Sequence, residues 1–196
     1  MRLLLPQPRR PRLSPELAAH LGEPTVTRLT FSSGRAGVRE KLAYLRGLIN
    51  EDRNDPYVRS LVARILRASN LPASDRLGRA VAIFEWVRRN FVYVGEPLET
   101  FTRPRRLLLD PRFRFGDCDD FTLALATLLE AAGYETCLEA LGWLLHFRHV
   151  FPRVLVGARW YAAEATLPNQ PFGYDPTEKA AARYGRGELG PLPIAR

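Results

Sequence analysis

Apolar residues recur at helical spacing in four stretches and then switch to a period of two. Val38, Leu42, Leu45 and Ile49 form one stripe, and Val58, Leu61, Val62, Ile65 and Leu66 a second. Leu77, Val81, Phe84 and Val87 form a third. Start signals precede them: Asp55-Pro56 opens the second helix and Ser74 is expected to cap the third. Ser14-Pro15-Glu16 opens a short helix of its own, with Ser as cap and Pro at the first position. The fourth stripe, Leu125, Leu128, Leu129 and Ala132 with Phe121 one turn earlier, stops at Gly133. Tyr134 to Leu141, Phe147 to Val156 and Arg159 to Ala165 then read as strands, the last two joined by Gly157-Ala158. Thr25 to Phe31 predicts another strand, broken by Ser32-Ser33-Gly34. Glu96 to Phe115 is rich in Pro and Arg, has little pattern beyond Leu107-Leu108-Leu109, and predicts a long loop walling a cleft. Pro168 to Pro176 reads as turns, and no internal repeat is present.

The expected organisation is a flexible basic arm over 1–13 and one domain over 14–180. That domain divides into N-terminal helices (14–90) and a catalytic core (91–180), and a loose tail follows over 181–196.

Composition narrows the class. The chain has 196 residues and a 46% hydrophobic content, ordinary for one globular domain. No apolar run reaches membrane-spanning length, and Pro6 interrupts Met1 to Leu5 too early for a signal-peptide core. Two cysteines make no disulfide framework, so a cytoplasmic location is expected. Net charge is +8, and of 29 basic residues only Lys41 and Lys179 are lysine. An arginine skew fits a GC-rich genome or a thermophilic source. Arg9-Arg10 with Arg12, and Arg112-Phe113-Arg114-Phe115, could meet phosphates and bases. The other arginines are scattered as solvated faces would be, so nucleic-acid contact is the lesser expectation. No P-loop, GxGxxG or HExxH motif occurs.

The chemistry concentrates at Gly116-Asp117-Cys118-Asp119-Asp120. Asp117 is placed to cap the helix that follows, with Asp120 three residues on in a capping-box position. Cys118 then falls in the first turn, where the helix dipole favours a thiolate. The three flanking acids oppose that and call for an imidazolium partner. A two-residue loop at Gly157-Ala158 pairs Val156 with Arg159 and sets Phe151 opposite Glu164. His149 shares the face of Phe151, so His149 and Glu164 become diagonal neighbours. Cys118, His149 and Glu164 therefore form a candidate catalytic triad of nucleophile, base and orienting acid. Pro152 implies an edge or a bulge in this strand. Cys137 reads as an inert strand residue, His146 as a loop residue, and His20 has no identifiable partner. A metal held by Asp117, Cys118, Asp119 and His149 is the competing chemical reading. The chain has too few His and Cys for the usual zinc spacings, so no metal and no cofactor are expected.

These residues resemble the transglutaminase-like superfamily. Gly116 to Asp120, the Leu-rich helix and Ala131-Ala132-Gly133-Tyr134 look like its nucleophile segment. His149-Val150 and Gly157-Ala158-Arg159-Trp160 look like its histidine strand and the next one. The family usually has aspartate where this chain has Glu164, which keeps the charge and adds a methylene. Upstream, Ala82 to Val87, Phe91-Val92-Tyr93-Val94, Glu96-Pro97, Glu99 and Arg103-Pro104 resemble the lead-in of bacteriophage and prophage members. The resemblance covers about Leu77 to Pro176. It implies an α+β fold with a papain-like core in which the nucleophile helix packs on an antiparallel sheet, beside an N-terminal helical region. It also implies thiol chemistry on acyl groups: Cys118 attacks a carbonyl, His149 carries the proton, and Glu164 orients the ring. The Cys118 N–H and a second donor would hold the oxyanion, and Tyr93 is the candidate donor, with Asp117 supporting. A cysteine hydrolase acting on peptide or isopeptide bonds is the leading expectation. Amide transfer to an amine and a non-enzymatic virion or assembly role stay open. The expected partners are protein or peptide substrates or other virion proteins, with a virion-associated location as the alternative to the cytoplasm.

Overall fold

The computed structural model describes residues 12–95, 100–143 and 146–177, without the side chains of 142, 143 and 146–148. Nearly all of the basic arm, the tail, and Glu96, Pro97 and Glu99 of the lead-in lie outside the described residues.

The predicted helices form with bounds close to their signals. α1 is Pro15–Leu21, and the Ser14 Oγ accepts from the Leu17 N–H. α2 (Gly34–Asp52) buries Leu42, Leu45, Leu48 and Ile49, the face its periodicity marks. α3 (Pro56–Ala68) begins where the Asp55 carboxylate accepts from the Tyr57 and Val58 N–H groups. α4 (Arg76–Asn90) is capped by Asp75, which accepts from Gly78 N–H at 2.8 Å, and not by Ser74. A carboxylate is a cap as good as a hydroxyl, and either of two adjacent candidates can fill the position.

Two segments depart from their predicted class. Thr25 to Phe31 is irregular, because no neighbouring strand pairs with it; Val26 is fully exposed. The stretch expected as a loop contains α5 (Pro104–Leu109), a 3-10 turn over Pro111–Phe113 and strand β2 (Phe115–Gly116). Leu107, Leu108 and Leu109 are all buried, so six residues surrounded by core show no amphipathic period. Strand β1 (Val92–Tyr93) pairs in parallel with β2, matching Tyr93 to Gly116.

α6 (Cys118–Ala131) is the centre of the molecule, and every residue from Cys118 to Leu129 is buried. Helices α2 to α5 pack around it, and the remaining face meets the sheet. Its C-terminal end is fixed by Glu130, whose carboxylate pairs with Arg46 and with Arg53 at 3.0 Å and accepts from Thr136. The sheet is an antiparallel meander of β3 (Glu135–Trp143), β4 (His146–Val156) and β5 (Arg159–Ala162). His146 thus opens a strand where a loop residue was expected.

The two-residue loop sets the register as read from the sequence, Val156 opposite Arg159. Pro152 departs from expectation: it lies in the central strand, opposite Leu138, and the irregularity falls at Leu141/Gly142. Its effect is on β5. The Pro152 carbonyl accepts from Ala163 N–H at 2.9 Å, but the ring nitrogen has no hydrogen to return. Ladder pairing ends at Ala162 instead of Ala165, and the chain is released just before Glu164.

Candidate active site

Each candidate residue has a distinct structural support. Asp117 caps α6 as expected, its side chain accepting from Asp119 N–H at 3.2 Å. Asp120 turns back and accepts from Thr102 N–H, which ties the segment before α5 to the nucleophile turn. Its carboxylate also rests on Gly116, whose φ is +151°, and a Cβ there would stand 1.8 Å from Asp120 Oδ2. The glycine of this motif is therefore demanded by the second aspartate after the cysteine.

Cys118 begins α6 and is 8% exposed. One turn later the Thr122 hydroxyl donates to the Val150 carbonyl at 3.0 Å, which locks the helix start to β4 one residue from His149. The Val150 N–H faces the sulfur and favours its anion, but burial is the stronger influence. Burial, with Asp119, Asp117 and Glu164 adding negative charge, pushes the Cys118 thiol up to about 12. The dipole-stabilised thiolate expected from the helix start is thus not the resting form. Apolar and acidic surroundings outweigh the first-turn effect. The thiol donates to Asp119 Oδ1 at 4.0 Å, and among the described residues no hydrogen bond joins it to the His149 ring.

His149 and Glu164 are in direct contact, His149 Nε2 bonding Glu164 Oε2. The Glu164 carboxylate is buried, and its other oxygen accepts from Thr166 N–H at 2.7 Å and from Thr166 Oγ1 at 2.6 Å. Burial alone would raise its pKa. The hydrogen bonds from His149 and Thr166 overcome that and hold it below the usual carboxylate range. The imidazole also lies roughly parallel to the Phe151 ring, centroids 6.0 Å apart, so its plane is supported from its own strand.

Tyr93 stands beside the nucleophile loop through the β1–β2 pairing and the Val94 N–H to Gly116 carbonyl bond of 2.8 Å. Tyr93 is exposed, and its partial burial together with the surrounding acidic groups raises its phenol. Its ring meets Phe121 of α6.

Thr166 and Thr122 escaped sequence reading. Thr166 repeats a pattern seen in Asp175 and Thr177, where the threonine two residues on bonds the carboxylate through N–H and hydroxyl. That spacing was the available signal. Thr122 gave no signal beyond its helical position. Asp119, 3% exposed, is pushed up to about 9 by burial and by hydrogen bonding and repulsion from Asp117.

The remaining candidates separate from the site. His20 does have a partner: Nε2 lies 2.5 Å from Asp55 Oδ2, and the ring packs on Tyr57. Cys137 is half-buried in β3, its thiol raised by burial. The His146 side chain lies outside the described residues. Asp117, Cys118 and Asp119 could bring one ligand atom each within 4.8 Å of one another. His149 is not among them; three protein ligands are one fewer than a structural zinc site has and as many as a catalytic one. Among the described residues no helix is long and apolar enough to cross a membrane.

No family model matches the chain, and no curated protein matches it. Two solved structures show partial likeness. One is a candidate cysteine protease from Cytophaga hutchinsonii, at 15% identity and a TM-score of 0.49, over 63% of this chain and 42% of that one. The other is a candidate protease from Parabacteroides distasonis ATCC 8503, at 13% identity and 0.47, over 76% of this chain and 32% of that one. The chain spans less than half the length of either.

Proposed function

We propose that the chain is a cysteine hydrolase that cleaves peptide or amide bonds through a thioester on Cys118. The observation that carries this reading is the His149–Glu164 pair, buttressed by Thr166 and set on the strand to which Thr122 anchors the start of the cysteine helix. With Nε2 held by Glu164, Nδ1 of His149 is the nitrogen left for the thiol. The resting thiol is protonated, so proton transfer to His149 accompanies attack on the carbonyl. The sulfur–carbon bond forms, the carbonyl oxygen takes the negative charge, and His149 delivers the proton to the leaving amine. The Cys118 N–H and the Tyr93 hydroxyl are the donors proposed for the oxyanion. Water then attacks the thioester by the same route and releases the acid. The resemblance of the motif to transglutaminase-like proteins supports the reading, and an amine in place of water would give transfer.

The test is turnover of a mixed quenched-fluorescent peptide pool by Cys118→Ala. Loss of cleavage with an unchanged circular dichroism spectrum is expected, and an undiminished rate ends the proposal. Product masses separate cleavage from amine transfer. One observation favours a second reading, a non-enzymatic assembly role for the fold: the thiol is buried and held up to about 12. Under that reading no acyl group transfers to Cys118, and the protein copurifies stoichiometrically with particles.

A further inference from the structure

An open groove of about 790 Å³ lies between α3, the start of α4 and the end of α6. It is remote from the candidate triad, since α6 separates Cys118 from Ala131 by about 20 Å at 1.5 Å per residue. Val62 and Leu66 from α3, Leu71 from the following turn, and the Ala131-Ala132 end of α6 give it apolar surface, beside the polar side chain of Asn70. Arg59, Arg67 and Arg79 line it, and no acidic or aromatic side chain does. Arg59 and Arg67 are exposed and Arg79 is half-buried. Arg59, Arg67 and Arg79 make no ion pair among the described residues.

We propose that this groove docks an acidic, amphipathic peptide segment of a partner protein. Unpaired guanidinium groups around apolar surface complement carboxylates flanking Leu- or Phe-type side chains. The chain's own remaining segments do not fit by charge. Residues 1–11 carry Arg2, Arg9 and Arg10 with no acid, and residues 178–196 carry more basic than acidic side chains. A second copy, with net charge +8, is repelled as well. Single-stranded nucleic acid finds no aromatic platform on which to stack. The partner is therefore acidic and partly apolar, and the site is independent of the chemistry at Cys118.

The test is selection of a displayed random 12-residue peptide library on the full chain. The same selection is run on Arg59→Ser/Arg67→Ser/Arg79→Ser, with circular dichroism and Tm confirming that the variant folds. Enrichment on the wild type of peptides combining Asp or Glu with Leu, Ile or Phe is expected. A selected peptide, read by fluorescence anisotropy, should bind the triple variant at least tenfold more weakly and the Arg→Lys triple within about threefold of wild type. Its affinity should fall as salt shortens the Debye length below about 10 Å. Binding should persist in Cys118→Ala, which separates this site from the proposed catalysis. No enrichment, enrichment without acids, or equal binding to the Ser variant overturns the proposal. So does arginine-dependent binding of phosphatidylserine vesicles or single-stranded DNA with no peptide bound.

Discussion

Glu164→Gln probes the charge of the triad with almost no change of shape. One oxygen of Glu164 accepts from both the N–H and the hydroxyl of Thr166, at 2.7 and 2.6 Å. The amide must keep its carbonyl oxygen there, because the reverse placement sets an NH2 against the Thr166 N–H, an unmade bond costing about 1–3 kcal/mol. The NH2 then faces His149 Nε2, which must become the acceptor. The ring proton moves to Nδ1, the nitrogen that should receive the thiol proton, and the cation loses its counter-charge. A wrong tautomer and an unsupported imidazolium together should slow acylation by about 10²- to 10⁴-fold, or about 3–5 kcal/mol in the barrier. Stability should fall, since the fold holds the Glu164 carboxylate below its ordinary range and so favours the charged form over a neutral one. The assays are p-nitrophenol release from p-nitrophenyl acetate and nitrogen-15 NMR of the imidazole. A rate within threefold of wild type, with the tautomer switched, refutes the assigned role of Glu164.

Other perturbations have equally defined outcomes. Gly116→Ala sets a Cβ 1.8 Å from the Asp120 carboxylate at a φ of +151°; it should cost on the order of 1–3 kcal/mol by urea denaturation and slow acylation as the Cys118 turn shifts. Thr166→Val removes one charge-assisted bond to Glu164, worth about 1.5–3 kcal/mol. Because Glu164 is held below its ordinary range, its stabilisation is present above the unfolded carboxylate pKa and lost as pH falls through the folded one; in Thr166→Val that acid loss should be smaller and complete at higher pH, as read by Tm against pH. Asp119 has the opposite sign, raised to about 9, so the fold disfavours its ionisation and stability falls as pH rises from about 4 towards 9. Asp119→Asn mimics the protonated acid and should flatten that slope, with Tm at pH 8 rising by about 2–4 °C for each kcal/mol recovered; an unchanged slope would place the proton elsewhere.

What could be read from the chain alone was local or set by short connections. The start of α6 was legible because Asp117 is a strong cap and Gly133 a strong stop. The Val156–Arg159 register followed from a two-residue loop, but pairing ends at Ala162, so the His149–Glu164 contact is made beyond the ladder and not as the cross-strand neighbours that the loop predicts. What failed depended on surroundings that sequence does not display. α5 is too short for a period, and it is helical because Leu107, Leu108 and Leu109 are enclosed together. Thr25 to Phe31 has strand-like residues with no strand beside it. The state of Cys118 turned on how deeply α6 is packed, and that burial outweighs the helix-start effect that residue order suggests. Thr166 was readable in principle, since its relation to Glu164 recurs between Thr177 and Asp175.

The central claim is that Cys118 forms a thioester with the help of His149. The most direct measurement is to treat the wild type and His149→Ala with p-nitrophenyl acetate, quench in acid and map the acyl group by mass spectrometry. The account predicts an acetyl group on Cys118 in the wild type, absent from Cys137, and its formation slowed at least a hundredfold in His149→Ala. Acetylation of Cys118 at the same rate in both proteins, or none on Cys118 at all, would contradict it.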